Sequence, residues 1–329
     1  MRILSVDGGG YLGLATAAFL KETERHFGCT YYENFDLFCG TSTGAIIALA
    51  LATGMSGDKI CEMYEDLGKR VFYNPVPGLR HARAIRSIAI AKYSNKRLRE
   101  ALESAFGDLT LGDVRSRGKL ALVTAFSITT GTPRVFKTDH SEDLSRDDGY
   151  LLRDVALASS AAPTFLPVVK LKSPISSETE TYCDGGVFAN HPALMGYAEA
   201  VSHLGQSSKE ISVLSLSTPR DQLGEWASNE NFVRRFCLSR GLGFWRTKIF
   251  STMIDSTSIA SHQTLRRLIN WDGSNRYVRI EFDKPKGVEM DKVTKKTTQA
   301  LLQLGSTKAY DNEIRHEIAP YLTVGRIKQ

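Results

Sequence analysis

The chain has 329 residues, of which 42% are hydrophobic and 24% are charged. This composition excludes a disordered or low-complexity protein, and the length allows one large α/β domain or two smaller ones. The 42 Lys and Arg residues outnumber the 36 Asp and Glu residues. Such a balance suits an anionic partner such as a membrane surface or a nucleotide, but many enzymes show it without one.

The cysteines and the apolar runs bear on the compartment of the protein. Five cysteines stand at positions 29, 39, 61, 183 and 237, an odd number without metal-ligand spacing, so we expect reduced thiols, no metal and no cofactor. The first residues carry too few apolar side chains for a signal peptide, and the longest apolar run, Ala45–Ala52, is too short for a membrane span. We therefore expect a cytoplasmic protein whose membrane contacts are peripheral.

The first part of the chain predicts two strand–turn–helix units. A buried strand over Arg2–Val6 precedes a glycine loop, and apolar residues at helical spacing then continue to Gly28. The remaining predicted elements are a helix over Leu14–Phe27, a strand over Phe35–Cys39, a tight turn over Gly40–Gly44 and an apolar helix over Ala45–Thr53. This alternation indicates a parallel, doubly wound α/β sheet.

The rest of the chain predicts further helices and strands without a linker. Helices are predicted over Gly57–Val71, Asn95–Phe106, Leu152–Ser160, Pro192–Leu204 and Thr307–Ala319, and strands over Leu120–Phe126, Arg134–Phe136, Thr181–Cys183, Ile211–Leu216 and Tyr277–Phe282. We therefore expect a single domain over 1–329. Two stretches, 73–93 and 219–275, fit the sheet pattern poorly and are predicted to be insertions that form a cap or a partner surface.

The sharpest chemical motif is Gly40-Thr41-Ser42-Thr43-Gly44. In a nucleophile elbow, a serine stands on a strained turn between a strand and a helix, and glycines flank it because side chains there would clash. The motif arises often by chance, so its context matters. Here an apolar strand precedes Ser42 and an apolar helix follows it, which favours a catalytic serine over a structural turn.

A glycine loop, Asp7-Gly8-Gly9-Gly10-Tyr11-Leu12-Gly13, lies between the first strand and the first helix. Backbone amides at such a place bind anions, and in acyl transfer the anion is the tetrahedral intermediate, which the Thr43 amide would also approach. Gly8, Gly10 and Gly13 satisfy the dinucleotide-binding pattern as well, with Asp36 as its acid. However, that acid belongs at the end of the second strand, where this chain has its serine.

The third motif is Asp184-Gly185-Gly186, at the end of a predicted strand. The glycines would let the Asp184 carboxylate approach another loop, although an ordinary Asp-Gly turn also explains them. A Ser–His–Asp triad needs a histidine, and none of the seven stands out by motif; we expect His191 to be a solvated loop residue. Ser42 also follows only the second strand, earlier than in α/β-hydrolases, which favours a two-residue mechanism.

Together these three motifs, in this order, resemble those of the patatin-like phospholipases, and the segment Ala158–Phe165 is similar to one that precedes the aspartate in that family. The resemblance covers residues 1–220. It implies a three-layer α/β/α fold with a mostly parallel central sheet. It also implies a calcium-independent lipid acyl hydrolase in which Ser42 attacks the ester, Asp184 is the general base, and Gly8, Gly9 and Gly10 form the oxyanion hole.

A narrower similarity, to the patatin-like effectors of cyclic-oligonucleotide antiphage systems, implies activation by a cyclic dinucleotide. Arg80, Arg83 and Arg86 would share a helix face and are candidate phosphate ligands, although a solvated basic face has the same pattern. Arginines around Trp245 suit an anionic bilayer, an oligomer contact or an ordinary core edge.

The partners expected from these patterns are a phospholipid surface, a cyclic dinucleotide and a second copy of the chain, and not a nucleic acid polymer. The alternatives are a nucleotide-binding module that uses the glycine loop, and a non-catalytic lipid-binding relative.

Overall fold

The structure, a computed structural model, describes residues 1–71, 91–141, 146–220 and 249–323, with the backbone alone for 249–251. An eight-stranded mixed sheet lies at its centre, with neighbours in the order β5, β6, β3, β2, β1, β7 and β8, and with β4 also paired with β3. The strands are β1 (Arg2–Val6), β2 (Leu37–Thr41), β3 (Leu120–Ser127), β4 (Thr132–Lys137), β5 (Val169–Lys172), β6 (Thr179–Asp184), β7 (Ser212–Leu216) and β8 (Tyr277–Ile280). Strands β3, β2, β1, β7 and β8 run parallel, whereas β4 and β6 run antiparallel to β3.

Helices cover both faces of the sheet. They are α1 (Gly13–Phe27), α2 (Tyr31–Asn34), α3 (Thr43–Ala52), α4 (Gly57–Val71), α5 (Asn95–Phe106), α6 (Leu111–Ser116), α7 (Leu152–Ser159), α8 (Gly186–Ala189), α9 (Ala193–Ser202), α10 (Ile249–Ile269), α11 (Lys295–Tyr310) and α12 (Asn312–Ile318), with 3₁₀ turns at Gly10–Leu12 and Ala319–Tyr321. Helix α1 ends at Gly28, whose left-handed backbone (φ 65°) confirms the predicted stop.

Side chains alternate along the strands and so divide the core into two layers. In β1, Leu4 and Val6 pack against helices α1, α3 and α4, whereas Ile3 packs on the opposite face against α9 and α10. In β3, Val123 belongs to the first layer and Leu122 to the second. Apolar side chains on both faces explain why the strands read as continuous hydrophobic runs. The predicted three-layer α/β/α arrangement is thus confirmed.

Several sequence predictions differ from the observed elements. The second strand is Leu37–Thr41 and not Phe35–Cys39, because the chain enters it from the short helix α2. A single closing helix over Thr307–Ala319 is wrong: α11 ends at Tyr310, and the Asp311 side chain then caps α12 by accepting hydrogen bonds from the amides of Glu313 and Ile314. Strand β5 and helix α6 were not predicted.

The two predicted insertions lie partly outside the described residues. Arg80, Arg83, Arg86 and Trp245 are all in segments that the structure does not describe. The described part of 219–275 is not an irregular insertion, because α10 packs on α8 and α9 as part of the second helical layer. No helix among the described residues is long and apolar enough to cross a membrane.

Candidate active site

Ser42 stands at the sharp turn between β2 and α3. Its backbone has φ 55° and ψ −125°, a left-handed conformation that a serine adopts only under constraint. Side chains cannot replace the flanking glycines: a Cβ on Gly44 would lie 2.1 Å from the Val6 carbonyl oxygen, and one on Gly40 would lie 2.4 Å from the Gly44 carbonyl oxygen. The elbow that the sequence predicted is therefore present, with its side chain at the carboxyl edge of the sheet.

A hydrogen-bond relay holds the strained turn. The Ser42 amide donates to Ser159 Oγ at 2.8 Å, and the Ser159 hydroxyl donates in turn to the Thr124 carbonyl at 2.7 Å. Ser159 is the last residue of α7 and Thr124 lies in β3, so the relay ties the elbow to two other elements. This function of Ser159 was not predicted, because contacts more than 100 residues apart leave no local pattern.

Asp184 ends β6 and faces the elbow. Its carboxylate accepts a hydrogen bond at 2.7 Å from the Gly186 amide. Burial raises the pKa of Asp184 to about 6, although the neighbouring Ser42 side chain and the Gly186 amide lower it in part. The backbone can come this close because Gly185 has no side chain: a Cβ there would lie 2.4 Å from the Thr124 carbonyl oxygen. The two residues singled out from separate motifs are thus in contact.

The glycine loop passes beside Ser42. A Cβ on Gly8 would lie 3.1 Å from Ser42 Cβ, so the loop and the elbow are in van der Waals contact. The Gly8 amide already donates to the Asn190 carbonyl at 3.3 Å, and the Gly8 carbonyl accepts from Thr218 Oγ1 at 2.5 Å. Within the described chain, the amides of Gly9, Gly10 and Thr43 have no protein acceptor. Three of the four predicted oxyanion donors therefore remain available to a ligand.

A buried charge cluster holds the start of the glycine loop. Asp7 pairs with Arg279 of β8, with 2.6 Å between Oδ2 and Nη2, and the Asp7 Oδ1 atom lies 3.0 Å from His191 Nδ1. Burial alone would raise the pKa of Asp7, but the Arg279 guanidinium and His191 lower it to about 2. Burial and the nearby Arg279 charge also lower the pKa of His191.

The prediction for His191 was wrong, because the residue is fully buried and belongs to this cluster. Arg279 was not predicted either. A signal existed in the sequence, since an arginine inside the apolar run Tyr277–Ile280 implies a buried partner.

One cavity of about 310 Å³ connects these groups. Ser42, Asp184 and the glycine loop line one part of it. The adjoining wall is apolar and comes from the 3₁₀ turn, α3, α4, α5 and the segment after α7, with the side chains of Leu12, Ile46, Leu67, Val71, Leu98, Phe165 and Leu166. No histidine is among the described residues that line the cavity, and no group of His, Cys, Asp or Glu in the described chain could hold a metal ion.

The glycine loop is not arranged as a dinucleotide site. The Asp36 carboxylate accepts a hydrogen bond from the Arg2 amide at 2.7 Å, at the amino end of β1. The glycine loop follows the opposite, carboxyl end of the same strand. Because the length of the sheet separates Asp36 from the loop, the alternative that paired them is not supported.

Comparisons with known proteins agree with this geometry. Residues 4–197 match the family model described as patatin-like phospholipase. The chain belongs to the patatin-like phospholipase family. It is similar, with 30% identity over 315 residues, to a cGAMP-activated phospholipase of Pseudomonas aeruginosa, and the match covers 93% of this chain and 87% of that relative. The predicted family and the predicted enzyme class, a lipid ester hydrolase, are thus confirmed.

Two further matches cover less of the chain or are more distant in sequence. A cUMP-AMP-activated phospholipase of Escherichia coli is 31% identical over 221 residues, which cover 65% of this chain and 63% of that protein. Among solved structures, VipD from Legionella pneumophila matches 97% of this chain and 67% of its own, with 13% identity and a TM-score of 0.46. The family assignment rests on the sequence matches.

Proposed function

We propose that this patatin-like protein hydrolyses fatty-acyl esters of membrane phospholipids through an acyl-enzyme on Ser42, and that a cyclic dinucleotide switches it on. The observation that carries the proposal is that Ser42, on its strained turn, and the buried Asp184 carboxylate line the same partly apolar cavity. A nucleophile in contact with a base is the arrangement that acyl transfer requires.

In the first half of the reaction, the Ser42 oxygen bonds to the acyl carbon while Asp184 takes its proton. Asp184 then gives that proton to the alcohol that leaves, and the fatty acid remains esterified to Ser42. A carboxylate with a pKa of about 6 is mostly ionised at neutral pH and is more basic than an ordinary aspartate. In the second half, water attacks the acyl carbon and gives a proton to Asp184. Asp184 then passes this proton to the Ser42 oxygen as the fatty acid leaves.

The negative oxygen that forms in each half-reaction needs hydrogen-bond donors. We assign this role to the amides of Gly9, Gly10 and Thr43, which have no acceptor within the described chain. Gly8 is left out of the proposed oxyanion hole because its amide already donates to Asn190. A donor of this kind stabilises the transition state by about 3 kcal/mol.

The apolar wall of the cavity supports an acyl substrate. Leu67, Leu98 and Phe165 offer surface to a hydrocarbon chain but no polar group to a headgroup. The remaining lining is mostly polar or charged and includes Arg220, which can face the polar part of a lipid. A ligand that is half hydrocarbon and half polar fits this division.

The regulatory part of the proposal is supported by the relatives, whose names describe cGAMP-activated and cUMP-AMP-activated phospholipases. Arg80, Arg83 and Arg86 stay candidates for the effector phosphates. The excess of Lys and Arg over Asp and Glu suits a peripheral contact with an anionic bilayer, made from the cytoplasm.

The test is free fatty acid released from phosphatidylethanolamine–phosphatidylglycerol vesicles, with and without cGAMP. We expect release by the wild type in the presence of cGAMP and none by Ser42→Ala or Asp184→Asn. Ser202→Ala and Asp108→Asn change exposed residues of the same types and should act like wild type. No release under any condition would contradict the phospholipase proposal, and release without cGAMP dependence would contradict its regulatory part.

A further inference from the structure

Ser160 has a buried hydroxyl without a partner beside the candidate dyad. The residue is 7% exposed, and its Oγ has no hydrogen-bond partner in the described chain. It lines the same cavity as Ser42 and Asp184. A buried hydroxyl that stays unpaired is costly, so the site is suited to a polar atom supplied by a ligand.

The backbone around Ser160 is fixed to both members of the dyad. Ser159 Oγ accepts from the Ser42 amide at 2.8 Å, and the Ala161 carbonyl accepts from the Asp184 amide at 3.0 Å. Ser160 is the residue between these two anchors. The Ser160 backbone is therefore held between two residues that hydrogen-bond the nucleophile and the base, and Ser160 lines the cavity that they share.

The other buried polar atoms without a partner among the described residues are Ser5 Oγ, Asn95 Oδ1 and Ser141 Oγ. None of these three residues lines the cavity. Ser160 alone in this group combines an unpaired hydroxyl with a place where substrate would bind.

We propose that the Ser160 hydroxyl binds two oxygen atoms in turn: the alcohol oxygen that leaves the acyl carbon, and the water oxygen that later attacks it. This inference rests on the proposed function. In acylation, the bound oxygen belongs to the alcohol: its bond to the acyl carbon breaks and it receives the proton that Asp184 took from Ser42. In deacylation, it belongs to water: it bonds to the acyl carbon, its proton goes to Asp184, and the proton returns to Ser42 Oγ as the ester bond to Ser42 breaks.

One hydroxyl can serve both steps because deacylation retraces acylation with water in place of the alcohol. The departing and the arriving oxygen must both lie next to Asp184, which exchanges a proton with each. A hydroxyl donates and accepts hydrogen bonds, so Ser160 can bind either oxygen. The cavity thus contains one oxygen subsite with two successive occupants.

The experiment compares wild type with Ser160→Ala, both with cGAMP, on p-nitrophenyl octanoate in stopped flow. p-Nitrophenolate leaves readily without help, so acylation should proceed at nearly the wild-type rate. Deacylation should slow about tenfold, because its water loses one hydrogen bond. Acyl-enzyme on Ser42 should therefore accumulate, which intact-protein mass spectrometry after acid quench detects. With phospholipid vesicles, whose alcohol leaves poorly, acylation should slow as well.

Ser5→Ala is the matched control, because it removes another buried, unpaired hydroxyl away from the cavity. It should match wild type in every rate, and neither variant should melt below the wild type, because each loses a buried hydroxyl without a partner. Equal deacylation by Ser160→Ala and wild type would overturn this inference alone. A wild type that forms no acyl-enzyme and releases no fatty acid would overturn the proposed function and this inference with it.

Discussion

Arg279, in the last strand of the sheet, forms a buried ion pair with Asp7, the residue that begins the glycine loop. The two residues are 272 positions apart in sequence, and both side chains are 3% exposed. The pair thus joins the last strand of the sheet to the start of the glycine loop. The Arg279 partner holds the pKa of Asp7 low despite burial, so the carboxylate is ionised at neutral pH.

Removing Arg279 should destabilise the fold strongly. Arg279→Ala leaves the Asp7 carboxylate buried without its main counter-charge, and we expect a loss of about 3–5 kcal/mol in the free energy of unfolding. Urea denaturation at pH 7 measures the change. Arg267→Ala removes an exposed arginine and should cost less than about 0.5 kcal/mol. Similar losses for the two variants would contradict the structural importance of the pair.

Gly44 should not tolerate even the smallest side chain. A Cβ there would lie within 2.6 Å of the carbonyl oxygens of both Val6 and Asp7, which cannot move without disturbing β1. We expect Gly44→Ala to lose about 3 kcal/mol and nearly all activity. Gly28→Ala is the control, because its Cβ would meet nothing within 4 Å. Only the left-handed backbone at this position disfavours a side chain, so the free energy of unfolding should fall by about 1 kcal/mol. Chemical denaturation measures the stability of both variants, and vesicle hydrolysis measures their activity. Equal losses in the two variants would contradict the prediction.

Ser159 should act as a positioning residue for Ser42. Ser159→Ala removes the acceptor of the Ser42 amide and leaves the elbow free to relax, so kcat should fall about ten- to a hundredfold with little change in KM. Ser202→Ala also removes a serine that hydrogen-bonds a backbone carbonyl near the end of a helix, but on the surface, and should leave kcat unchanged. An altered KM at constant kcat would speak for a substrate contact instead.

Asp184→Asn should change how stability depends on pH. The pKa of Asp184 is about 6 in the fold against 3.8 for a fully solvated aspartate, so the folded protein binds a proton between these values that the unfolded chain has released. The contribution of Asp184 to the wild-type free energy of unfolding therefore falls as pH rises between these two pKa values, whereas an asparagine does not titrate. The stability of the variant relative to wild type should increase by about 1 kcal/mol from pH 5 to pH 8.

Asp108→Asn, at an 89% exposed carboxylate, is the control for this titration and should show no such trend. Thermal or urea unfolding at several pH values gives the comparison. A flat difference between Asp184→Asn and wild type would mean that the Asp184 carboxylate is solvated and not buried.

The strained turn at Ser42 and the close loop approach at Asp184 could be predicted from sequence because their requirements are local. Gly40 and Gly44 are needed by a turn only a few residues long, and the glycines after Asp184 are needed by the close approach of one loop. The alternation of strands, turns and helices also predicted helical layers on both faces of a parallel sheet, because strands and helices are recognised from short-range patterns.

The supporting residues could not be predicted in the same way. Ser159, His191 and Arg279 act through partners 117, 184 and 272 residues away, and a single sequence carries no sign of such pairs beyond a charge or hydroxyl in an apolar run. The errors in element boundaries have a local cause instead. For example, the Asp311 side chain caps a new helix at a position where a continuous helix was predicted.

Strands β2 and β6 meet end to end along one edge of β3: Thr41 pairs with Thr124, and Asp184 pairs with the next residue, Ala125. The proximity of Ser42, the proposed nucleophile, to Asp184, the proposed base, is therefore fixed by the register of two strands on a third. A slip of one residue in β6 would turn the Asp184 side chain to the other face of the sheet, and a slip of two would carry it about 7 Å away. Extra residues in the loop 173–178 should therefore leave Asp184 beside Ser42, whereas one residue inserted within β6 should separate the two without altering either.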